Sequence, residues 1–459
     1  MINGNNSMWL VESDKQSTYA PLNSDVTVDF AIIGGGLSGL WTAYHLKTLD
    51  PSATVAVFEA ESIASGASGR ACGWLSGKPV GVREALAKVK GREAVIKTEC
   101  LLREAVDKTI DIFTSYGADI GAHKGGTLTV ARSESELKRL ERSIQNDRAW
   151  GLTSDDLQFL NRHETLSRVQ ISEARGAAYM PSMARVDPAK MTQSLAAIVE
   201  KLGVAIHERS SVRFQGRRVT SNDYGINAKK IIVATEGYSA QLPFMKRTIL
   251  PMNSSLIATA PLSENEWERV IWNNAEGISG MAHTYFYSAR TPDNRIAIGG
   301  RGKPYRFASG FDTNGIVDNK TVQALKLLLD SLFPQVDLKV DYAWCGVIGV
   351  TRDWSPFVHQ VAETGNIMLG GYAGQGLTAA YLGGRIASSL ALDIDDDYAS
   401  LPWVRDLPRK WEIEPLRWIG ANGLYRVYSL ADVLEHRKDS PKTVWFAGLA
   451  DRIAGRVTK

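Results

Sequence analysis

The sequence predicts an α/β fold combined with antiparallel β structure: a parallel sheet assembled from separated stretches of chain, with a second sheet threaded through it. Three observations lead there. A strand, a glycine-rich turn, a helix and a second strand follow one another between residues 26 and 59, which is how a parallel α/β sheet opens. Sheet-building sequence of the same type returns near residues 187–235 and again at 367–392. Between those returns, from about residue 250 to 341, the pattern changes to longer alternating strands.

Taken in order, residues 1–26 form a polar lead-in, and residues 26–33 (VTVDFAII) alternate and then saturate with apolar side chains. Residues 34–39 supply the turn, 40–49 a helix and 55–59 the next strand. Charged, helix-favouring sequence occupies residues 83–116 and 133–150, split by the strand-like GGTLTVA at 125–131, and reads as an inserted module. Asp187 and Pro188 make a helix start ahead of the amphipathic run 191–202, with a short buried strand at 204–207. KKIIVAT at 229–235 is another buried strand. TYFYSAR and NRIAIGG at 284–290 and 294–300 read as antiparallel strands, and 322–333 as a helix. IMLG at 367–370 and an Ala/Gly-rich helix at 377–392 close the first domain. The expected division is therefore 27–85, 165–245 and 346–400 for a dinucleotide domain, 86–164 and 246–345 for a substrate domain, and 401–459 for a helical extension. That extension carries Trp403, Trp411, Trp418 and Trp445, and so many indoles must pack on the body or on a second subunit.

Composition excludes several classes. The 459 residues carry 53 Lys+Arg against 50 Asp+Glu, a formal charge of +3 without basic runs, so nucleic acid is not an expected partner. Cys72, Cys100 and Cys345 form neither a CxxC pair nor a His-rich cluster, which argues against a disulfide framework or a metal site and fits a reducing, cytoplasmic compartment. The N-terminus lacks signal-peptide character, and no apolar run approaches a membrane span.

Gly34, Gly36 and Gly39 form G-x-G-x-x-G at a strand–helix junction. There the glycines permit a tight turn and let backbone amides approach a pyrophosphate at the helix N-terminus. Glu59, at the end of the next strand, is placed to accept hydrogen bonds from the ribose of an ADP moiety. Motif and acid together define a Rossmann-like dinucleotide site.

The run from VDFAIIGGGLSGL to SGASGRACGW resembles the N-terminal signature of the D-amino-acid-oxidase-type (DAO) FAD oxidoreductases, most nearly the branch of γ-glutamylputrescine oxidoreductase, sarcosine oxidase and glycine oxidase. ATEGYS at 234–239, YAWCG at 342–346 and GYAGQGLT at 371–378 extend the resemblance over most of residues 8–430. It implies FAD as cofactor, held by Gly34, Gly36, Gly39 and Glu59, by the loop residues Ser68, Gly69, Arg70, Cys72 and Gly73, by Val212 and Gly346, and by Gly371, Gly374, Gln375, Gly376 and Leu377. The last group would start a helix whose amides face the flavin pyrimidine, where negative charge grows on reduction. The implied reaction is oxidation of a C–H bond beside an amine nitrogen, the imine then hydrolysing to a carbonyl compound and ammonia or a smaller amine. The cofactor carries the hard step, so no catalytic triad is expected, and the sequence offers none.

Departures from the family pattern shape the expected substrate. Ala71, Cys72 and Gly73 replace Asn-Gly-Gly, and Cys72 reads as a small buried filler. Cys345 stands one position before the residue that would align with a covalent flavin attachment, a shift that turns its side chain to the other face of a strand. Ala297 falls where a dioxygen-activating lysine would lie, and Ile348 where an arginine would hold an α-carboxylate. Arg301, Lys303, Arg306 and Arg352 are the alternatives for binding the anionic tail of an ω-amino acid, a γ-glutamyl amine or an aminophosphonate. Tyr285 and Tyr287 are expected on one strand face against the amine, with Tyr287, Arg301 and Tyr285 as the substrate-positioning set. Trp344, His283 and His359 read as scaffold, and the AGLADRIAGR tail as a surface helix too short to anchor in a membrane. The expected partners are a small amine and either dioxygen or another electron acceptor. Two alternatives stay open: a dehydrogenase using a non-oxygen acceptor, and a non-catalytic flavin-binding subunit of a hetero-oligomer.

Overall fold

The computed structural model describes residues 1–11, 19–216, 218–300, 302, 304–311 and 314–455. Its first sheet has a parallel centre in which Val26–Ile33 lies between Val55–Phe58 and Tyr224–Val233. Ala205–His207 extends it on one side. On the other, Ile367–Gly370 pairs with the C-terminal end of Tyr224–Val233, and the hairpin Val212–Gln215/Arg218–Ser221 with its N-terminal end.

Three helices, Leu37–Leu49, Pro188–Lys201 and Gly376–Ala391, share one large apolar core with these strands. The Ala/Gly character of Gly376–Ala391 has a packing cause. A Cβ on Gly384 would stand 2.8 Å from the Thr42 amide nitrogen, so only glycine lets this helix lie directly on Leu37–Leu49. Ser388 then donates to the Thr42 carbonyl at 3.1 Å.

The second sheet has nine strands, running from Ile2–Asn3 through Val340–Val350, Leu250–Thr259, Ile296–Gly300, Tyr287–Arg290, Gly277–Gly280, Thr127–Ala131 and Gly176–Met180 to Gln158–Asn161. It is antiparallel as expected except at two joints, Ile2–Asn3 with Val340–Val350 and Gly277–Gly280 with Thr127–Ala131, which are parallel. Those partners come from distant stretches of chain, so no hairpin fixes their direction. Helix Asn319–Leu332 packs beneath Leu250–Thr259, inside this sheet's own apolar cluster.

The expected boundaries need correction in three places. Gly176–Met180 belongs to the second sheet, although residues 165–245 were assigned to the dinucleotide domain. The helices Arg83–Lys90 and Arg92–Ser115 send Leu86, Val95, Leu102, Val106 and Phe113 into the first core, so residues 86–115 are not substrate-domain structure. Val340–Val350 stays in the second sheet past residue 346 because it pairs with Leu250–Thr259 as far as Val350. The polar lead-in is also structured: after strand Ile2–Asn3, helix Met8–Val11 buries Met8 and Trp9.

Strand TYFYSAR is shorter than its alternation predicts. Only Tyr287–Arg290 is strand, because Asp432 accepts hydrogen bonds from the His283 and Thr284 amides, at 2.8 and 2.9 Å, and draws that stretch away from the sheet.

Candidate active site

A cavity of about 1810 Å³ runs between the two sheets. At one end Gly34, with φ of +110°, turns the chain out of Val26–Ile33 into helix Leu37–Leu49, whose N-cap, Gly36, has no side-chain cap. The Leu37 amide donates to Ser68 Oγ at 2.9 Å. A Cβ on Gly36 would come within 3.0 Å of the same oxygen and narrow the gap in front of the helix end. A helix N-terminus whose glycine N-cap offers no side chain, facing a long cavity, suits a pyrophosphate. Glu59 is held beside it: Oε2 accepts from the Gly35 amide at 2.8 Å and Oε1 from the Glu61 amide at 2.9 Å. Burial raises its pKa, and the two amides oppose that shift.

Of the positions expected to meet the cofactor, Gly34, Gly36, Glu59, Ser68, Arg70, Cys72, Val212, Gly346, Gly374, Gln375, Gly376 and Leu377 all line this cavity. Gly39, Gly69, Gly73 and Gly371 stand behind its wall, where each permits close packing: a Cβ would strike the Gly34 carbonyl, the Ala64 carbonyl, the Val186 carbonyl and Thr351 respectively. The cavity is therefore built in two layers, an inner one of contacts and an outer one of glycines that bring the inner one together. Helix Gly376–Ala391 likewise begins with no side-chain cap and points its first turn into the cavity.

Arg70 acts as a brace. It is buried, and donates from Nε to the Ser65 carbonyl at 2.7 Å and from Nη1 to the Cys345 carbonyl at 3.0 Å, tying the loop to strand Val340–Val350. The N-terminal segment clamps the same loop through Ser7 Oγ to the Gly69 carbonyl at 2.6 Å and Trp9 Nε1 to the Ala71 carbonyl at 2.9 Å. Trp344 completes the clamp from Nε1 to the Arg70 carbonyl at 2.9 Å, which makes it scaffold as expected. Cys72 lines the cavity, and its thiol pKa is pushed up by burial. Cys345 faces the apolar cluster of the second sheet, with Sγ 3.8 Å from Asn253 Oδ1, and lies outside the cavity lining.

The opposite end of the cavity is polar and aromatic. Tyr287 lines it, with its hydroxyl 2.6 Å from Ser254 Oγ, and glycine at the cross-strand position 299 leaves room for the tyrosine ring. Tyr285 also lines it, but from the turn before the strand rather than from the strand itself. Arg301 and Lys303 lie outside the described residues. Arg306 is exposed and not part of the lining. Arg352 is drawn off to Glu412 at 3.1 Å and to the Ile453 carbonyl at 3.1 Å. Neither Arg306 nor Arg352 therefore converges on the cavity, contrary to expectation, because the carboxyl-terminal segment occupies Arg352.

Sequence reasoning missed Lys78. Its Nζ donates to Thr129 Oγ1 at 3.0 Å and lies 5.6 Å from the centroid of the Trp74 ring, and the residue lines the cavity; Thr129 Oγ1 is in turn 3.1 Å from Ser279 Oγ. Only its place five residues past Gly73 of the flavin-loop motif could have signalled it. Glu236 was missed too. Its Oε1 accepts from the Tyr372 amide at 2.9 Å, and the backbone amides of Gly349 and Gly371 also act on the carboxylate. Burial pushes this carboxyl up to about 7 against the lowering effect of the Tyr372, Gly349 and Gly371 amides.

His283 and His359 are scaffold. The first binds Glu435 through Nε2 at 3.1 Å, and the second lies 3.3 Å from the Arg405 carbonyl through Nδ1. Among the described residues no group of His, Cys, Asp and Glu could hold a metal ion.

A parallel sheet with a glycine turn, an acid at the end of its second strand and a long cavity reaching a second sheet define the class of dinucleotide-binding α/β proteins. The chain belongs to the FAD dependent oxidoreductase (DAO) family, whose model matches residues 29–390. It is 27% identical over 406 residues to the γ-glutamylputrescine oxidoreductase of Escherichia coli K12, covering 86% of this chain and 92% of that one. It is 23% identical over 372 residues to the glycine oxidase of Bacillus licheniformis, covering 79% of this chain and 93% of the relative. Among solved structures, the glycine oxidase of Geobacillus kaustophilus superposes with a TM-score of 0.68 at 20% identity, over 84% of this chain and 100% of that chain. The protein is an FAD-dependent oxidoreductase.

Proposed function

We propose that the protein oxidises a small primary or secondary amine that carries an anionic group, with Lys78 receiving that group. The observation that carries this reading is the cation inside a hydroxyl-lined pocket beside Trp74, at the end of the loop expected to contact the flavin. When bound, FAD supplies the two-electron acceptor for the oxidation. The chain's own part is to hold the substrate. Lys78 and the hydroxyls of Thr129 and Ser279 suit a carboxylate or phosphonate, while the Tyr287 ring and hydroxyl face the amine end. The α-carboxylate of an ordinary amino acid finds Ile348 where an arginine would hold it.

The test is an anaerobic titration of the FAD-loaded enzyme with ω-amino acids, γ-glutamyl amines and aminophosphonates, following bleaching near about 450 nm, a typical flavin band. Lys78→Met is expected to raise KM for the bleaching substrate roughly 10- to 100-fold, the value of a charged hydrogen bond, with a smaller effect on kcat and none on FAD content. Bleaching by neutral amines alone would reject the anionic-substrate reading. A non-oxygen acceptor is favoured by Ala297, a fully buried strand residue whose carbonyl lies 3.9 Å from Cys72 Sγ and which offers no cation beside the flavin loop. Reoxidation by a quinone or artificial acceptor but not by air would establish that second reading.

A further inference from the structure

The carboxyl-terminal helices Leu416–Lys438 and Trp445–Ala454 are packed in an unusual sense. In the second, Ala447, Ala450 and Ala454 turn inward, whereas Trp445, Leu449 and Ile453 face outward, with Trp445 80% exposed. Positions four residues apart lie on one helix face, so the three large apolar groups form a single stripe. In the first helix Ile419, Leu430 and Val433 are likewise exposed, while Tyr428 and Ala431 are buried. A water-facing helix ordinarily shows the reverse arrangement.

Charge is sorted in the same direction. Residues 416–455 contain four acids, Asp432, Glu435, Asp439 and Asp451, and each is bound within the protein. Asp432 accepts from the His283 and Thr284 amides, and Glu435 holds Arg139 and His283. Asp439 holds Arg175, and Asp451 accepts from the Tyr428 hydroxyl at 2.8 Å. Arg426, Arg437, Lys438, Lys442 and Arg452 are all exposed, and none forms an ion pair among the described residues. Glu435 is buried, Asp432 and Asp451 are half-buried, and Asp439 is exposed but paired, so each acid is engaged within the protein while these cations form no ion pair among the described residues. A surface that shows unpaired cations and large apolar groups together complements an anionic lipid surface.

We propose that this face docks the protein on anionic bilayers as a peripheral, in-plane attachment. No helix among the described residues is long and apolar enough to cross a membrane, so the attachment is interfacial. Trp445–Ala454 alone is too short for it, and the pairing with Leu416–Lys438 supplies the extra apolar surface and cations. The same segment contributes Thr443, Val444, Trp445, Gly448 and Asp451 to the cavity wall, so Trp445 stands at the cavity rim and docking sets the cavity beside the lipid.

Flotation of the full-length, FAD-loaded protein with vesicles tests this. Binding is expected to vesicles of phosphatidylcholine mixed with phosphatidylglycerol, weaker by about tenfold or more with phosphatidylcholine alone or in high salt. The double substitution Leu449→Glu/Ile453→Glu should abolish flotation without changing the flavin spectrum. Arg437→Gln/Lys442→Gln, which leaves the apolar stripe intact, should weaken it several-fold. No flotation, or flotation that is equal on neutral vesicles and insensitive to both variants, overturns the proposal. So does a dimer in light scattering that the Leu449→Glu/Ile453→Glu variant converts to monomer, because a second copy then covers the face.

Discussion

Single residues decide how closely the layers of this site approach. Gly39 is the sharpest case, since its own turn brings it onto the Gly34 carbonyl and any Cβ must displace backbone. Gly39→Ala is expected to lower stability by about 1–3 kcal/mol, the usual range for overpacking, and to reduce bound FAD, read from the 450 nm to 280 nm absorbance ratio. Glu236 makes a pH prediction. Its carboxyl titrates near 7 in the folded chain but near the ordinary carboxylate value of about 4.5 when unfolded. Between those values the folded state binds more protons, so stability falls as pH rises through that window and then levels off, by up to about 3 kcal/mol. Thermal melts from pH 4 to 8 should show this decline, and Glu236→Gln should flatten it; an equal decline in the variant would assign the effect to other groups.

At the scale of elements, the amino-terminal segment clamps the loop at residues 65–73 that lines the cavity. Met8 and Trp9 are buried, and Ser7 and Trp9 hold the Gly69 and Ala71 carbonyls. Two buried side chains and two hydrogen bonds amount to roughly 4–9 kcal/mol. Deleting residues 1–11 should therefore lower the melting temperature and speed release of FAD, measured by the recovery of flavin fluorescence on dilution. An unchanged release rate would mean that Arg70 and Trp344 brace the loop by themselves. The hydrogen bonds of Asp432 act in the same way on the other side of the cavity, where they convert expected strand into the turn that presents Tyr285.

Across the whole molecule, the cavity is bounded by both sheets, so a ligand that fills it adds a link between the two cores beside the apolar cluster of Met8, Trp9, Cys72, Ala189, Leu256 and Trp344. FAD at a hundredfold excess over its dissociation constant should stabilise the protein by about 2.7 kcal/mol. Calorimetry should show the apoprotein unfolding earlier and over a broader range, and the loaded protein in a single later transition. Separate transitions persisting with FAD bound would mean that the two sheets unfold independently.

The parallel sheet was legible because its signals are local. Saturated apolar runs, the glycine turn, Glu59 and the Asp187–Pro188 helix start each act within a few residues. The elements lie where these patterns placed them, with helix Leu37–Leu49 beginning inside the expected 34–39 turn and the strand expected at 229–235 running from Tyr224 to Val233. The family motifs converge for the same reason, since twelve of the positions they marked line one cavity. Tertiary structure alone decided the rest. Which strand neighbours which, the parallel joint between Gly277–Gly280 and Thr127–Ala131, and the assignment of Arg92–Ser115 to the first core depend on contacts between distant segments, which periodicity does not encode. Lys78 and Glu236 entered the site because chain closure carried them there, and Arg352 left it because the carboxyl-terminal segment offered a partner. A side chain's residue type fixes what it can bind. Only the folded chain fixes what stands within reach of it.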